Sequence, residues 1–325
     1  MKTHSVWLTS AVLAGVLTGS AANSLAQSYP DRSVRLVINV APGGGSDILA
    51  RKLSLDLSRN LGQTVVVDNK PGAAGVIGTG IVANAATDGY TLNMISSSHA
   101  SNASLQRVLP YHPVDSFVPV VLFALSPQVL LTNPKAPFKT VMEMIAYAKA
   151  NPGKLNLGSS GLGSTPHLSG ELLQMMTGTK FVHVPYKGGG PAMAALMAGQ
   201  VDLLFVVTQA GKPYVEAGRL RALGVASTER LPQFPGVPTI AESGVAGYEA
   251  SNWAGILAPA GTPPAVIKTV RDAVLKTTAS REMQDWMETQ GLQAVKIGTE
   301  EFRKILRSEI DQWTKVVKNA GIEIQ

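Results

Sequence analysis

From Val34 onward, short β-branched runs trade places with helical patterns, and this alternation narrows the possible folds more than any other feature of the chain. "VRLVINV" (34–40) reads as a strand, and "SDILARKLSLDLSR" (46–59) sets Leu49, Leu53 and Leu57 on one helical stripe. "TVVVDN" (64–69) follows as a strand, "GVIGTGIVANAA" as a small-residue helix and "YTLNMI" (90–95) as another strand. Beyond "VPVVLFAL" the rhythm returns. A helix "TVMEMIAYAKAN" stops at Pro152-Gly153. Strand "KLNLGSS", helix "HLSGELLQMM", strand "KFVHV", helix "PAMAALMAG" and strands "VDLLFVV" and "RALGVA" come next. Such alternation predicts an α/β fold with mainly parallel sheets and right-handed crossovers. The C-terminus is helical instead. In 299–319, Phe302, Ile305, Leu306, Ile310, Trp313, Val316 and Val317 make one apolar stripe, and Gly321 is placed for a C-cap.

With 325 residues, the chain has room for two domains at ~150 residues each. Hydrophobic residues make up 45% and charged residues 15%, the balance of a packed core. No internal repeat or low-complexity linker divides it. Two segments, "LFALSPQVLL" (122–131) and "NWAGILAPAGTPP" (252–264), read as crossings between domains. Two crossings return the last part of the chain to the first domain. Residues 27–124 with 253–325 are therefore expected to form domain 1, and 125–252 domain 2.

The N-terminus has a different character. Lys2 precedes an apolar run, "VWLTSAVLAGVL", and Ser24-Leu25-Ala26 supplies small residues at both recognition positions of a cleavage site. A membrane span needs roughly 20 mainly apolar residues, and this run breaks too early. Residues 1–26 thus read as a signal peptide cut after Ala26, which predicts an exported, soluble protein. Cysteine is absent, so neither a disulfide nor a lipid-modified cysteine is available. The net charge of +6, one unit lower without Lys2, is not gathered into basic clusters, and nucleic-acid binding gains no support.

Glycines now acquire meaning. A strand that ends in glycines and opens a helix leaves unpaired backbone N–H groups at the positive end of a helix dipole, and bare residues let an anion come close. Gly43, Gly44 and Gly45 fit this description, with Ser46 or Asp47 as N-cap. A lone instance serves equally as a tight turn. "NLGSSGLGSTPH" (156–167) repeats the design, with Pro166 at the first helical position. Two such loops at strand ends, one per domain, predict a ligand cleft between the domains. "YKGGGPAM" (186–193) is read as a structural turn.

Many blocks in order carry a resemblance: "APGGGSD", "NKPGAAGVIGTGIVANAATDGYTL", "AYAKANPGKLNLGSSGLGSTPHLSGELL", "HVPYKGGGPAM", "AGQVDLLF", "GRLRALGVAS" and "VPTIAESGVAGYEASNWAGILAPAGTP". From about Tyr29 to its end the chain resembles the Bug-type (TctC-like) periplasmic solute receptors of tripartite tricarboxylate transporters. The resemblance implies a periplasmic-binding-protein (Venus flytrap) fold with a two-strand hinge. It also implies capture of a small organic acid, one carboxylate being gripped by two loops and ordered water, and the membrane subunits of such a transporter as partners. Carried over, the first loop is Gly43, Gly44, Gly45, Ser46 and Asp47. The second is Ser159, Ser160, Gly161, Gly163, Ser164, Thr165 and His167. Ser96, Ser97, Ser98 and His99 would line the first-domain wall, and Thr208 the second. Asp47 is best explained as a cap facing backbone N–H groups. Val206 and Val207 follow Phe205 where relatives of this kind often carry a polar or acidic residue, which argues against an amino-acid ligand. His112 stands where an aspartate is frequent.

Enzyme readings compete poorly. Gly158-Ser159-Ser160-Gly161-Leu162 fails the nucleophile-elbow pattern at its last position. "GTGIVA" (78–83) matches a dinucleotide pattern but falls inside a helix, where close packing explains it. His99, His112, His167 and His183 show no metal-ligand spacing, and the loops hold no carboxylate pair for acid–base work. No cofactor or metal is called for. His167 is left as either a donor to a carboxylate or a partly buried helix-start residue. His183 is read as structural and Trp253 as packing. The expected activity is that of a receptor, acting as a monomer, for a mono- or dicarboxylate or an aromatic acid. A signalling-only carboxylate sensor and an α/β hydrolase or acyltransferase are the alternatives.

Overall fold

The computed structural model describes residues 29–324 except Gly44. The signal peptide read from residues 1–26 and the expected Gly44 contact lie outside the described residues. In chain order the elements begin β1 (Val34–Ile38), α1 (Gly45–Leu61), β2 (Val65–Asn69), α2 (Val76–Ala83), β3 (Thr91–Ser96), α3 (Ser98–Leu105) and β4 (Phe117–Ser126). Then come β5 (Gln128–Thr132), α4 (Val141–Ala150), β6 (Asn156–Ser159), α5 (Thr165–Thr177), β7 (Val182–Pro185) and α6 (Gly189–Met197). The order closes with β8 (Leu203–Val207), α7 (Thr208–Glu216), β9 (Arg221–Val225), β10 (Asn252–Pro259), α8 (Pro264–Thr278), α9 (Arg281–Thr289), β11 (Gln293–Ile297) and α10 (Thr299–Ala320).

Two sheets result. The first has the order β11-β4-β10-β3-β1-β2 and the second β7-β6-β8-β5-β9. Helices cover both, as the alternation requires. The chain leaves the first sheet at Ser126, passes Pro127 and enters the second at Gln128; it re-enters the first at Asn252. The sheets are mixed rather than mainly parallel. β1, β2 and β3 pair in parallel, as do β6, β7 and β8. β10 runs antiparallel to β3 and β4, β11 to β4, and β5 to β8 and β9. A strand delivered by a crossing from the other sheet has no helical crossover to fix its direction, so the parallel expectation does not extend to it.

Local chemistry explains the helix limits. Thr140 Oγ1 accepts from Glu143 N at 3.2 Å while Glu143 Oε2 accepts from Lys139 N at 2.7 Å, which starts α4. Gly178 and Gly321, at φ 67° and 61°, take the left-handed conformation that ends α5 and α10. Leu49, Leu53 and Leu57 of α1 are buried with Ile267, Val270 and Val274 of α8 over the first sheet. On that sheet's other face lie α2 and the first half of α10, through Phe302 and Leu306. The second half of α10 buries Trp313, Val316 and Val317 with α4 and α5 in the core of the second sheet. One helix therefore belongs to both cores.

The dinucleotide-like "GTGIVA" is a packing face. A Cβ on Gly78 would sit 2.7 Å from the Lys70 carbonyl oxygen and 3.2 Å from Asn39 Cα. His112 acts in a turn, its Nδ1 accepting from Asp115 N at 2.9 Å and Val114 N at 3.3 Å, the role an aspartate oxygen plays in an Asx turn. Among the described residues no helix is long and apolar enough to cross a membrane.

Candidate ligand-binding cleft

A cavity of about 670 Å³ opens where several helices begin. Ser98 is the first residue of α3, Thr165 and Pro166 start α5, Gly189 and Gly190 start α6, and Val207 is the N-cap of α7; all line it. The first N–H groups of a helix have no partner inside that helix, and each start carries the positive end of the helix dipole. No Lys, Arg, His, Asp or Glu is among the lining residues. The site can therefore hold negative charge through dipoles and hydrogen bonds without a cationic side chain.

A second cavity of about 320 Å³ adjoins it, lined by Gly45 and Ser46 at the start of α1 and by Ser96, Trp253 and Trp286. Val207 and Asn252 line both cavities. The two glycine loops thus border two hollows that meet at Val207 and Asn252, where a single shared pocket was expected.

In the first loop, Gly45 and Ser46 reach the second cavity, whereas Asp47 turns away from both. Its Oδ2 accepts from Gly43 N at 2.9 Å and Arg51 Nε at 3.0 Å, and its Oδ1 from Asn69 Nδ2 at 2.9 Å. Those bonds, Arg51 first, hold the carboxyl down at about 2. Asp47 accepts a backbone N–H, but from within the helix: α1 begins at Gly45, so neither Ser46 nor Asp47 is the N-cap that was expected, and Asp47 braces the loop as the third helical residue. Gly43, held at φ 86°, lines neither cavity.

In the second loop, Ser160, Gly161, Gly163, Ser164 and Thr165 all line the large cavity. Ser159 and His167 lie beneath them. Ser159 Oγ accepts from Gly161 N at 3.1 Å and stands 2.6 Å from His183 Nε2. His167 Nδ1 accepts from Gly163 N at 3.0 Å, and its ring stacks on His183 with centroids 3.7 Å apart. Burial, with His167 alongside, lowers His183 to about 4, so that ring is neutral at physiological pH. Of the two roles left open for His167, the structure places it as the helix-start residue that fixes the loop.

On the first-sheet wall, Ser98 borders the large cavity and Ser96 the small one. Ser97 Oγ donates to Asn252 Oδ1, and His99 Nε2 lies 2.7 Å from the Pro113 carbonyl oxygen inside the core. Thr208 is fully buried, with Oγ1 3.5 Å from the Gly291 carbonyl oxygen, and lines neither cavity; its neighbour Val207 lines both. Its backbone N–H is taken by the Pro127 carbonyl, which pulls the residue under the wall.

Several contributors were missed. Gly189 and Gly190, read as a structural turn, line the large cavity; their strand–glycine–helix pattern was the same signal as in the two accepted loops. Asn252 Oδ1 accepts from Ser97 Oγ and from Trp253 N at 3.0 Å, which leaves its Nδ2 hydrogens at the junction of the cavities. Gln128 lines the large cavity from the first position of β5. Nothing local in the sequence marks either amide.

The profile of the "Tripartite tricarboxylate transporter family receptor" family matches residues 49–322. The chain belongs to this receptor family. Protein BugT of Bordetella pertussis is 38% identical over 309 residues, covering 94% of this chain and 95% of BugT. The solved periplasmic binding protein BugD is 34% identical, with a TM-score of 0.71, over 91% of this chain and 100% of its own. An R. palustris protein solved with adipate is 37% identical, with a TM-score of 0.74, over 91% of this chain and 99% of its own. The tripartite tricarboxylate transporter family receptors are periplasmic solute-binding proteins rather than enzymes. Their two-sheet α/β fold is the one described above.

Proposed function

We propose that this receptor captures a small organic carboxylate in the cleft between two lobes and hands it, unchanged, to the membrane subunits of a tripartite tricarboxylate-type transporter. The lobes are residues 27–124 with 253–325, and residues 125–252. The chain works as a monomer in the periplasm after loss of residues 1–26. The observation that carries the reading is the ring of helix starts around a cavity with no charged side chain. A carboxylate there accepts N–H and hydroxyl bonds, and such charge-assisted bonds are about twice as strong as neutral ones. Binding of adipate by a relative of the same fold supports the same class. In the open form, Gly45 and Ser46 offer donors from one lobe. Closure then brings Ser160, Ser164 and Thr165 from the other, a population shift driven by tighter binding to the closed state.

The test is to denature the purified protein, identify what it releases by mass spectrometry, and screen organic acids by thermal shift. A receptor returns an intact acid and a melting temperature that climbs with ligand concentration. Turnover of the acid, or no stabilisation by any carboxylate, overturns the reading.

A further inference from the structure

Gln128 is 1% exposed yet borders the large cavity. Its amide orientation is settled by its neighbours. Nε2 donates to the Ala250 carbonyl oxygen at 2.8 Å, a group that can only accept. Nε2 also donates to Ser169 Oγ at 2.8 Å, and that hydroxyl spends its own proton on the Thr165 carbonyl oxygen at 2.8 Å. Both amide hydrogens are used. Oε1 has no hydrogen-bond partner among the described residues, and it is the one atom of this amide left to meet a ligand. The cavity therefore contains a fixed neutral acceptor as well as donors for a carboxylate. An acceptor that a ligand covers without giving it a donor costs roughly 1–3 kcal/mol, so a ligand that supplies one is selected over one that does not.

The donor's chemistry follows from the surroundings. An ammonium brings a full charge and three hydrogens, and no Asp or Glu lines either cavity to balance it. The helix starts that attract a carboxylate repel a cation. A hydroxyl brings one hydrogen and no charge. The rest of the wall, from Leu162, Met193, Phe205, Val206, Val207 and Tyr214, is apolar or aromatic and asks for a body of the same kind.

We infer that Gln128 is a specificity-determining residue, and that this receptor takes a hydroxy acid: one carboxylate at the helix starts, one hydroxyl donated to Gln128 Oε1, and an apolar body against the Met193–Tyr214 wall. The inference rests on the carboxylate-receptor reading and narrows it.

Isothermal titration with three matched triads tests it: phenyllactate, phenylpropionate and phenylalanine; lactate, propionate and alanine; malate, succinate and aspartate. In each triad the same skeleton carries a hydroxyl, a hydrogen or an ammonium. The expected result is that the tightest ligand is a hydroxy acid and exceeds its hydrogen partner at least about tenfold. Gln128→Met should remove that margin while leaving the hydrogen partner's affinity within about threefold, with apo melting as the folding control. A hydrogen or ammonium member that binds as tightly as its hydroxy partner overturns the inference while leaving the receptor reading in place. So does an equal loss of both acids in Gln128→Met. Absence of binding by all three hydroxy acids, where another carboxylate of the thermal-shift screen binds, also overturns the inference; absence of binding by every carboxylate of that screen overturns the receptor reading itself. The wild-type comparison decides the matter even where the variant fails to fold.

Discussion

Trp253 Nε1 donates to Glu309 Oε1 at 2.7 Å, tying the strand on which the chain re-enters the first sheet to the middle of the helix shared by both cores. Glu309 Oε2 has no hydrogen-bond partner among the described residues. The Trp313 indole stands close to the same carboxyl, but its N–H lacks the geometry of a hydrogen bond. Burial pushes the Glu309 carboxyl up to about 8; the Trp253 bond opposes this and Glu249 reinforces it. The helix shared by the two cores thus holds a carboxylic acid that is neutral over most of the physiological range.

A pH-dependent stability follows. In the unfolded chain Glu309 ionises near its ordinary 4.5, while in the folded protein it keeps its proton to about 8. Folding binds a proton between those values, so stability falls as pH rises from about 4.5 to about 8 and levels above that. Glu309→Gln has no such proton to lose. Urea denaturation at pH 5 and pH 9 should show wild type losing about 2–4 kcal/mol more than the variant.

Asp47→Ala removes the acceptor of Gly43 N, Arg51 and Asn69. We expect a loss of about 1–2 kcal/mol at pH 7, the range for a helix-start acceptor. The wild-type carboxyl is depressed to about 2, so its contribution is complete above the ordinary 3.8 and fades as pH falls towards 2. Urea midpoints of the two proteins should converge on acidification; a constant gap means that Asp47 acts through packing alone.

His167→Ala takes away the acceptor that holds Gly163 N and the ring stacked on His183. Ligand affinity should drop about tenfold as the loop loosens, although His167 touches no cavity. Titration with the best acid from the thermal-shift screen measures it. Unchanged affinity shows that the loop keeps its shape without the histidine.

Gly255→Ala tests the packing beneath the crossing strand. A Cβ there would lie 2.5 Å from Phe302 Cζ and 3.1 Å from the Val121 carbonyl oxygen, and Phe302 is fully buried, edge-on to Trp253 at 5.3 Å. Overpacking of this kind costs about 1–3 kcal/mol, read as a lower urea midpoint with an unchanged slope.

Much of the fold is legible along the chain because its causes are local. Leu49, Leu53 and Leu57 repeat at helical spacing, and Pro166 and Gly178 bracket α5 by their own backbone preferences. α3 and α7 escape such reading, since "SHASNASL" and "TQAGKPYVE" carry no apolar stripe and Pro213 interrupts the second. The glycine loops were recognisable as helix starts for the same local reason. Which of their residues face a ligand was not, and Asp47, Ser159 and His167 turned out to brace the loops from behind.

The amino-acid sequence alone determined the two α/β layers, the crossings between them and the bare donors at the helix starts, because periodicity, proline and glycine act over a few residues. Tertiary structure alone decided that the loops border two adjoining cavities and that Gln128 and Asn252 stand in their walls. Each amide is oriented by partners distant in the chain: Gln128 by groups 41 and 122 residues away, and Asn252 by Ser97, 155 residues away. Hydrogen-bond direction at such sites exists only once the chain has brought those partners together.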